Sequence, residues 1–257
     1  TVAILAQGLR SGSRSPRRLS DGRELWRRDF DRNANSFLAV GRVAGMDRLA
    51  VVAPIGQQAA LPRSVLALLL LLLQTAMMLA GGVLCGAARR LCRRCCPKAC
   101  CSRSSRRCAF TGCMVAAVPA LLGFASLTWT PVYRGALVAL DAETGKTHWQ
   151  YDLPSYAQWH TAGDPEGYLI RRAIGTRELC LPNPFSAPTI GPDGTVYVGY
   201  QDGRVYSVRD SNADGLIDGE REVSTFDTGT AFSSPGAAFA PGMMAIANCD
   251  GLFVFKQ

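Results

Sequence analysis

Three hydrophobic patterns divide the chain. The first is continuous: from Ser64 to Ala88 the sequence SVLALLLLLLQTAMMLAGGVLCGAA carries no charge, and Leu66–Leu73 is apolar on every side. About 20 such residues at 1.5 Å rise cross a ~30 Å hydrocarbon layer, so the run predicts a transmembrane helix over 64–88. A second uncharged run, Ala109–Trp129, predicts another span at 109–129, kinked at Pro119 and closed by the interfacial indole of Trp129. Gly112, Ala116, Ala120 and Gly123 fall at helical spacing within it, which suits close helix packing. The third pattern is of short β-prone runs around turns. Residues 135–153 hold two such runs on either side of Asp141–Gly145, 195–210 alternate apolar and polar positions around Asp202-Gly203, and 243–256 repeat the plan with Asp250-Gly251 at the same place, and each predicts a β-hairpin. Residues 1–63 form a polar, arginine-rich segment with short apolar runs at 2–6 and 49–55.

Charge sharpens this picture. The net +8 is not spread evenly: eight Lys or Arg lie between Arg89 and Arg107, eleven precede residue 64, and acids outnumber bases from 135 onward. A local basic excess points to membrane topology rather than a nucleic-acid face. By the positive-inside rule the loop 89–108 is expected in the cytoplasm, with 1–60 and 135–257 on the non-cytoplasmic side and the lipid bilayer as partner. The chain begins at Thr1, which implies a processed form or a piece of a longer protein.

The hairpins recur. Pro188 and Pro235 are 47 positions apart, and Asp202 and Asp250 are 48 apart, the spacing of multi-stranded propeller blades. Ala139, Asp141, Thr144, Gly145 and Trp149 match A-x-D-x-x-T-G-x-x-x-W, and here the chain resembles the pyrroloquinoline-quinone-like (PQQ-like) β-propeller repeats. The resemblance implies that Trp149 packs between blades and that Ala139 and Gly145 allow close sheet approach. Ser186, Pro188, Gly194, Tyr197, Gly203 and Tyr206 stand in family-like places in a second copy, with Phe226 where the tryptophan would be. Ser20–Trp26 resembles the second half of the motif, with Arg18 at the aspartate position, and marks a partial blade within 1–63. The expected fold is therefore mixed: two transmembrane helices joined to an incomplete propeller over 133–257. Closure of a propeller takes 4–8 blades, so the expectation is further blades outside the chain, a protein partner that supplies them, or an open stack of sheets.

Three sets of side chains carry candidate chemistry. Asp210, Asn212, Asp214, the Leu216 carbonyl and Asp218 follow the D-x-[DN]-x-[DN]-G calcium loop, within an insertion at 210–222. Arg221 replaces the bidentate glutamate of the twelfth place and Glu220 or Glu222 would reach in only at the wrong spacing, which predicts weak calcium binding; a polar hairpin tip is the alternative. Cys92, Cys95, Cys96, Cys100, Cys101 and Cys108 lie among arginines beside the expected spans. They suit S-acylation ahead of unmodified thiols or a zinc site. Cys180 and Cys249 would pair in an oxidising compartment. Only two histidines, His148 and His160, are present, and the vicinal pairs Cys95-Cys96 and Cys100-Cys101 lie outside the repeats. The functional expectation is a membrane-anchored, non-catalytic binding or scaffolding module, with a PQQ-dependent quinoprotein dehydrogenase as the alternative.

Overall fold

The computed structural model describes residues 2–6, 13–18, 20–34, 36–59, 72, 131–175, 180, 184–232 and 234–256. Within them the chain forms four antiparallel sheets. The first holds β1 (Val2–Ala6), β2 (Ser13–Arg18) and β3 (Arg28–Asp29). The second runs in the order β4 (Ala39–Gly41), β5 (Ala50–Gly56), β6 (Gly135–Asp141), β7 (Thr147–Asp152). The third is β8 (Thr189–Ile190), β9 (Val196–Gly199), β10 (Arg204–Val208) and β11 (Val223–Asp227). The fourth is β12 (Ala238–Ala240), β13 (Met243–Ala247) and β14 (Leu252–Lys256).

This architecture corrects the expected mixed membrane fold. Among the described residues there is one helix of any length, α1 (Asp164–Ile174), and no helix is long and apolar enough to cross a membrane. The runs at 64–88 and 109–129, and the loop 89–108 with Cys92, Cys95, Cys96, Cys100, Cys101 and Cys108, lie outside the described residues apart from Leu72. The expectation of spans rested on missing charge. That property demands burial of an apolar surface, but it does not choose lipid over protein as the surrounding.

The chain divides into two compact units, Thr1–Ala60 with Pro131–Gln257, and Leu61–Thr130. In sequence the second unit falls between β5 and β6. β5 and β6 are full-length antiparallel neighbours, with Gly56 opposite Gly135 and Ala50 opposite Asp141, although residues 57–134 separate them in sequence. The sheet containing the 139–149 motif therefore takes its other two strands from residues 39–56.

The three later sheets stack face on face, and alternation along each strand assigns the faces. In the second sheet Val51, Ile55, Ala136, Val138 and Leu140 pack with Ala34, Trp26 and Phe30. Its opposite face, with Ala50, Val52, Leu137, Ala139 and Trp149, meets Val196, Val198, Tyr206 and Val208 of the third sheet. The third sheet's other face uses Tyr197 and Val205 against Phe239, Met244, Ile246, Phe253 and Phe255 of the fourth. Each repeat thus covers a face of the one before it. β5 is buried at every position because it sits mid-sheet with both faces covered.

α1 occupies the crossover between the second and third sheets. Pro165 sits at its first turn, and Gly163 and Gly175, both left-handed, bound it. Asp164 and Arg171 tie it down. The Cys180 N–H donates to Asp164 Oδ1 at 2.8 Å, and Arg171 donates to the Gly163 and Asp164 carbonyls at 3.1 and 3.2 Å. The expected pairing of Cys180 with Cys249 is present as a disulfide, with 5.9 Å between Cα atoms, and fastens this crossover to the β13–β14 turn.

Candidate functional site

The motif residues of the second sheet form a compact turn. Asp141 Oδ1 accepts the N–H groups of Glu143 and Thr144 at 2.9 and 2.8 Å, and Gly145 N–H donates to the Asp141 carbonyl at 2.9 Å. Gly145 is at φ 70, and a Cβ there would lie 2.6 Å from Trp26 Cδ2. The Trp26 indole is seated against that glycine, and its N–H donates to the Ala142 carbonyl at 3.0 Å. The tryptophan of the remnant motif at 20–26 is thus seated on the turn of the next sheet. Ala139 and Trp149 face each other across the β6–β7 ladder, both almost fully buried, on the side covered by the third sheet. Burial pushes the Asp141 carboxyl up, but the Thr144 and Glu143 donors and the nearby Arg48 guanidinium outweigh it and hold Asp141 below 3.8.

The corresponding place in the third sheet, between β10 and β11, is taken by residues 209–222. A series of side-chain-to-backbone bonds winds this loop. Gly215 N–H donates to Asp210 Oδ2 at 3.1 Å, Asp214 N–H to Asn212 Oδ1 at 3.1 Å, and Leu216 N–H to Asp214 Oδ1 at 2.7 Å. Asn212 Nδ2 donates to Asp214 Oδ2 at 2.8 Å, and Asp218 Oδ1 accepts from Glu220 N–H at 3.0 Å. Ala213 is at φ 58, the sole non-glycine residue at positive φ among the described residues. Such a conformation is costly for alanine and persists only when its surroundings enforce it.

Glu222 plays a part that spacing alone concealed. Its Oε1 accepts from Ser211 N–H and hydroxyl at 2.6 and 2.8 Å and from Asn212 N–H at 3.3 Å; Oε2 accepts from Asp218 N–H at 3.0 Å. The Asp218 and Ser211 donors draw its carboxyl down to about 2. Arg221, in the twelfth place, points outward beside Asp218 at 3.6 Å. The carboxylate that folds back into the loop stands one residue later than an EF-hand places it.

The loop is pressed against the second sheet. A Cβ on Gly45, in the β4–β5 connection, would come 2.7 Å from Asp210 Oδ2, and one on Gly215 would come 3.1 Å from the His148 carbonyl oxygen. Ile217 and Val223 pack on the cluster that contains Trp149. The Asp210 side chain is fully buried, with His148 Nε2 at 3.5 Å from its Oδ2. Its Oδ1 has no hydrogen-bond partner, nor has the buried His148 Nε2. Of the five predicted calcium ligands, only Asp210 is buried; Asn212, Asp214, Leu216 and Asp218 are exposed. Among the described residues no three His, Cys, Asp or Glu side chains are gathered as a metal cluster.

His148, Gly45 and Trp26 were not part of the expected site. Glu222 was legible only as an acid displaced from the twelfth place, and Trp26 only as part of an incomplete motif. No protein-family model matches the chain, and no curated protein matches it at a significant level.

Proposed function

We propose that this chain is a repeat-built binding or scaffolding module of the PQQ-like blade type, working in an oxidising, non-cytoplasmic compartment. The observation that carries the reading is the seating of Trp26 on Gly145, because a motif fragment from one repeat grips the turn of the next. The matching face order of the three stacked sheets supports it, and the Cys180–Cys249 disulfide supports the compartment. The last sheet turns Leu252, 68% exposed, and Val254, 50% exposed, to solvent on the face that earlier repeats cover. That face is where a protein partner or a further blade would dock.

Two measurements test the module reading together. Cross-linking of the full chain in its native setting should capture a protein partner, and Leu252→Lys should remove it while leaving the melting temperature unchanged. Dye reduction by the chain loaded with PQQ and calcium, offered alcohols and sugars, should stay at background. Quinone-dependent turnover would replace the module reading with a dehydrogenase.

A further inference from the structure

We infer that the 210–222 loop binds a calcium ion that clasps the third sheet to the second, with Asp210 as the shared ligand. The inference stands independently of the repeat-family reading, since it rests on the loop and what faces it. A ladder of Asx turns puts Asp210 Oδ2, Asn212 Oδ1 and Asp214 Oδ1 each on a loop amide, and Asp214 Oδ2 also accepts from Asn212 Nδ2. Such ladders occur in ordinary turns and would not by themselves identify a site. The decisive feature is Asp210. With Oδ2 bonded across the turn to Gly215 N–H, its carboxylate lies inside the turn, fully buried, and Oδ1 has no donor.

A buried carboxylate oxygen without a partner is costly unless a water or a cation supplies the missing bond. The facing imidazole does not supply it, because its Nε2 approaches Oδ2 and not Oδ1. A hard cation with oxygen ligands does. Asp210 Oδ1, the Asn212 and Asp214 side-chain oxygens and the Leu216 carbonyl are the oxygen donors that the loop supplies, with water completing the shell and Asp218 acting through water. Calcium tolerates such an irregular, partly hydrated set, whereas magnesium demands near-octahedral geometry. Glu222 acts as a positioning residue: it already holds the amides of Ser211, Asn212 and Asp218 and so fixes the loop backbone before metal arrives.

The clasp follows from what encloses Asp210. Gly45 of the β4–β5 connection and His148 of β7 both belong to the second sheet, and both approach the Asp210 carboxylate. Fixing that carboxylate on a cation therefore fixes the contact between repeats. With few carboxylates and no bidentate acid in the twelfth place, the dissociation constant falls in the ~10⁻⁴–10⁻³ M range of extracellular modules.

The test uses the full chain in calcium chloride, magnesium chloride or chelator, with Asp210→Asn and Asn212→Ala as variants. About 10 mM calcium should raise the parent's melting temperature by roughly 5 °C, and magnesium should do far less. Asp210→Asn should abolish the calcium shift. Should that variant fail to fold, calcorimetric titration of Asn212→Ala, an exposed position, should show calcium affinity weakened roughly tenfold. Amide exchange should slow on calcium addition at 43–46 and 147–151 as well as in the loop. A shift equal in parent and Asp210→Asn, equal for both metals, or missing from the parent overturns the site. Protection confined to the loop overturns the clasp.

Discussion

Two connections occupy the same place in successive sheets and solve it differently. In the second sheet, Asp141–Gly145 links β6 to β7 in a tight turn whose acid has its carboxyl answered by protein donors and an arginine. In the third, the β10–β11 connection is expanded to residues 209–222, and its leading acid, Asp210, keeps one buried oxygen unanswered. The tight turn is finished by a neighbouring side chain, Trp26. The long loop is built around an acid that its own chain leaves incomplete. Turn length thus changes the demand on the surroundings: a short turn asks for an aromatic lid, and a long one asks for charge.

The largest test of this contrast is Trp149→Ala. Trp149 is 1% exposed and packs in the cluster shared by the second and third sheets, with Ile217 and Val223 resting on that cluster. Truncation should cost about 3–5 kcal/mol in chemical unfolding of the chain. If both repeats depend on this contact, fluorescence and far-UV signals should shift together. A loss under about 1 kcal/mol would mean that the repeats are not joined through this residue.

Next come the two glycines. Both Gly145 and Gly215 sit at positive φ, so alanine at either strains the backbone by about 1–2 kcal/mol. Gly145→Ala must also displace the Trp26 ring from 2.6 Å, whereas Gly215→Ala meets the His148 carbonyl oxygen at 3.1 Å. Gly145→Ala should therefore be the more damaging, and Trp26→Ala should narrow the gap between them. An equal loss at both positions would remove the lid from the account of the tight turn.

The tight turn was legible because its logic is local: Asp141 to its own amides, Gly145 to positive φ, a short β-prone run on either side. The hairpins at 195–210 and 243–256 were legible for the same reason. The β5–β6 pairing was not, since strands separated by residues 57–134 share no local signal, and the 49–55 run gave only its apolar character. α1 was missed because Gly163, Asp164 and Pro165 mark a helix start as readily as a loop; its Leu169, Ile170 and Ile174 share one side at helical spacing but are exposed. The two uncharged runs misled the fold class by speaking of burial and not of its medium. Glu222 was legible only as one of two acids at the wrong spacing, and the folded chain uses it because its backbone, bonded to Asp218, turns back over the loop.

The smallest expected effect concerns acid. Asp141 is held below 3.8 in the folded chain by the Thr144 and Glu143 donors and Arg48, against the upward push of burial. A lowered folded-state value means that the unfolded chain binds the proton more tightly. Asp141 therefore contributes stability that is fully present above its unfolded value and is lost as pH falls from there through the folded one. Asp141→Asn keeps an oxygen for the Thr144 and Glu143 amides but cannot titrate. Its melting temperature should lie slightly below the parent's at pH 7 and converge with it as pH falls below 3.8. Asp202 supplies the contrast, since burial outweighs the Tyr206 hydroxyl, Arg204 and its amide, and raises its carboxyl. Its charged form is the disfavoured one, so Asp202→Asn should gain on the parent as pH rises, the opposite sign. Thermal melts of both variants from pH 3 to 7 read the two slopes. Parallel curves for Asp141→Asn and parent would show that the turn is held by its amides alone, with the charge contributing nothing.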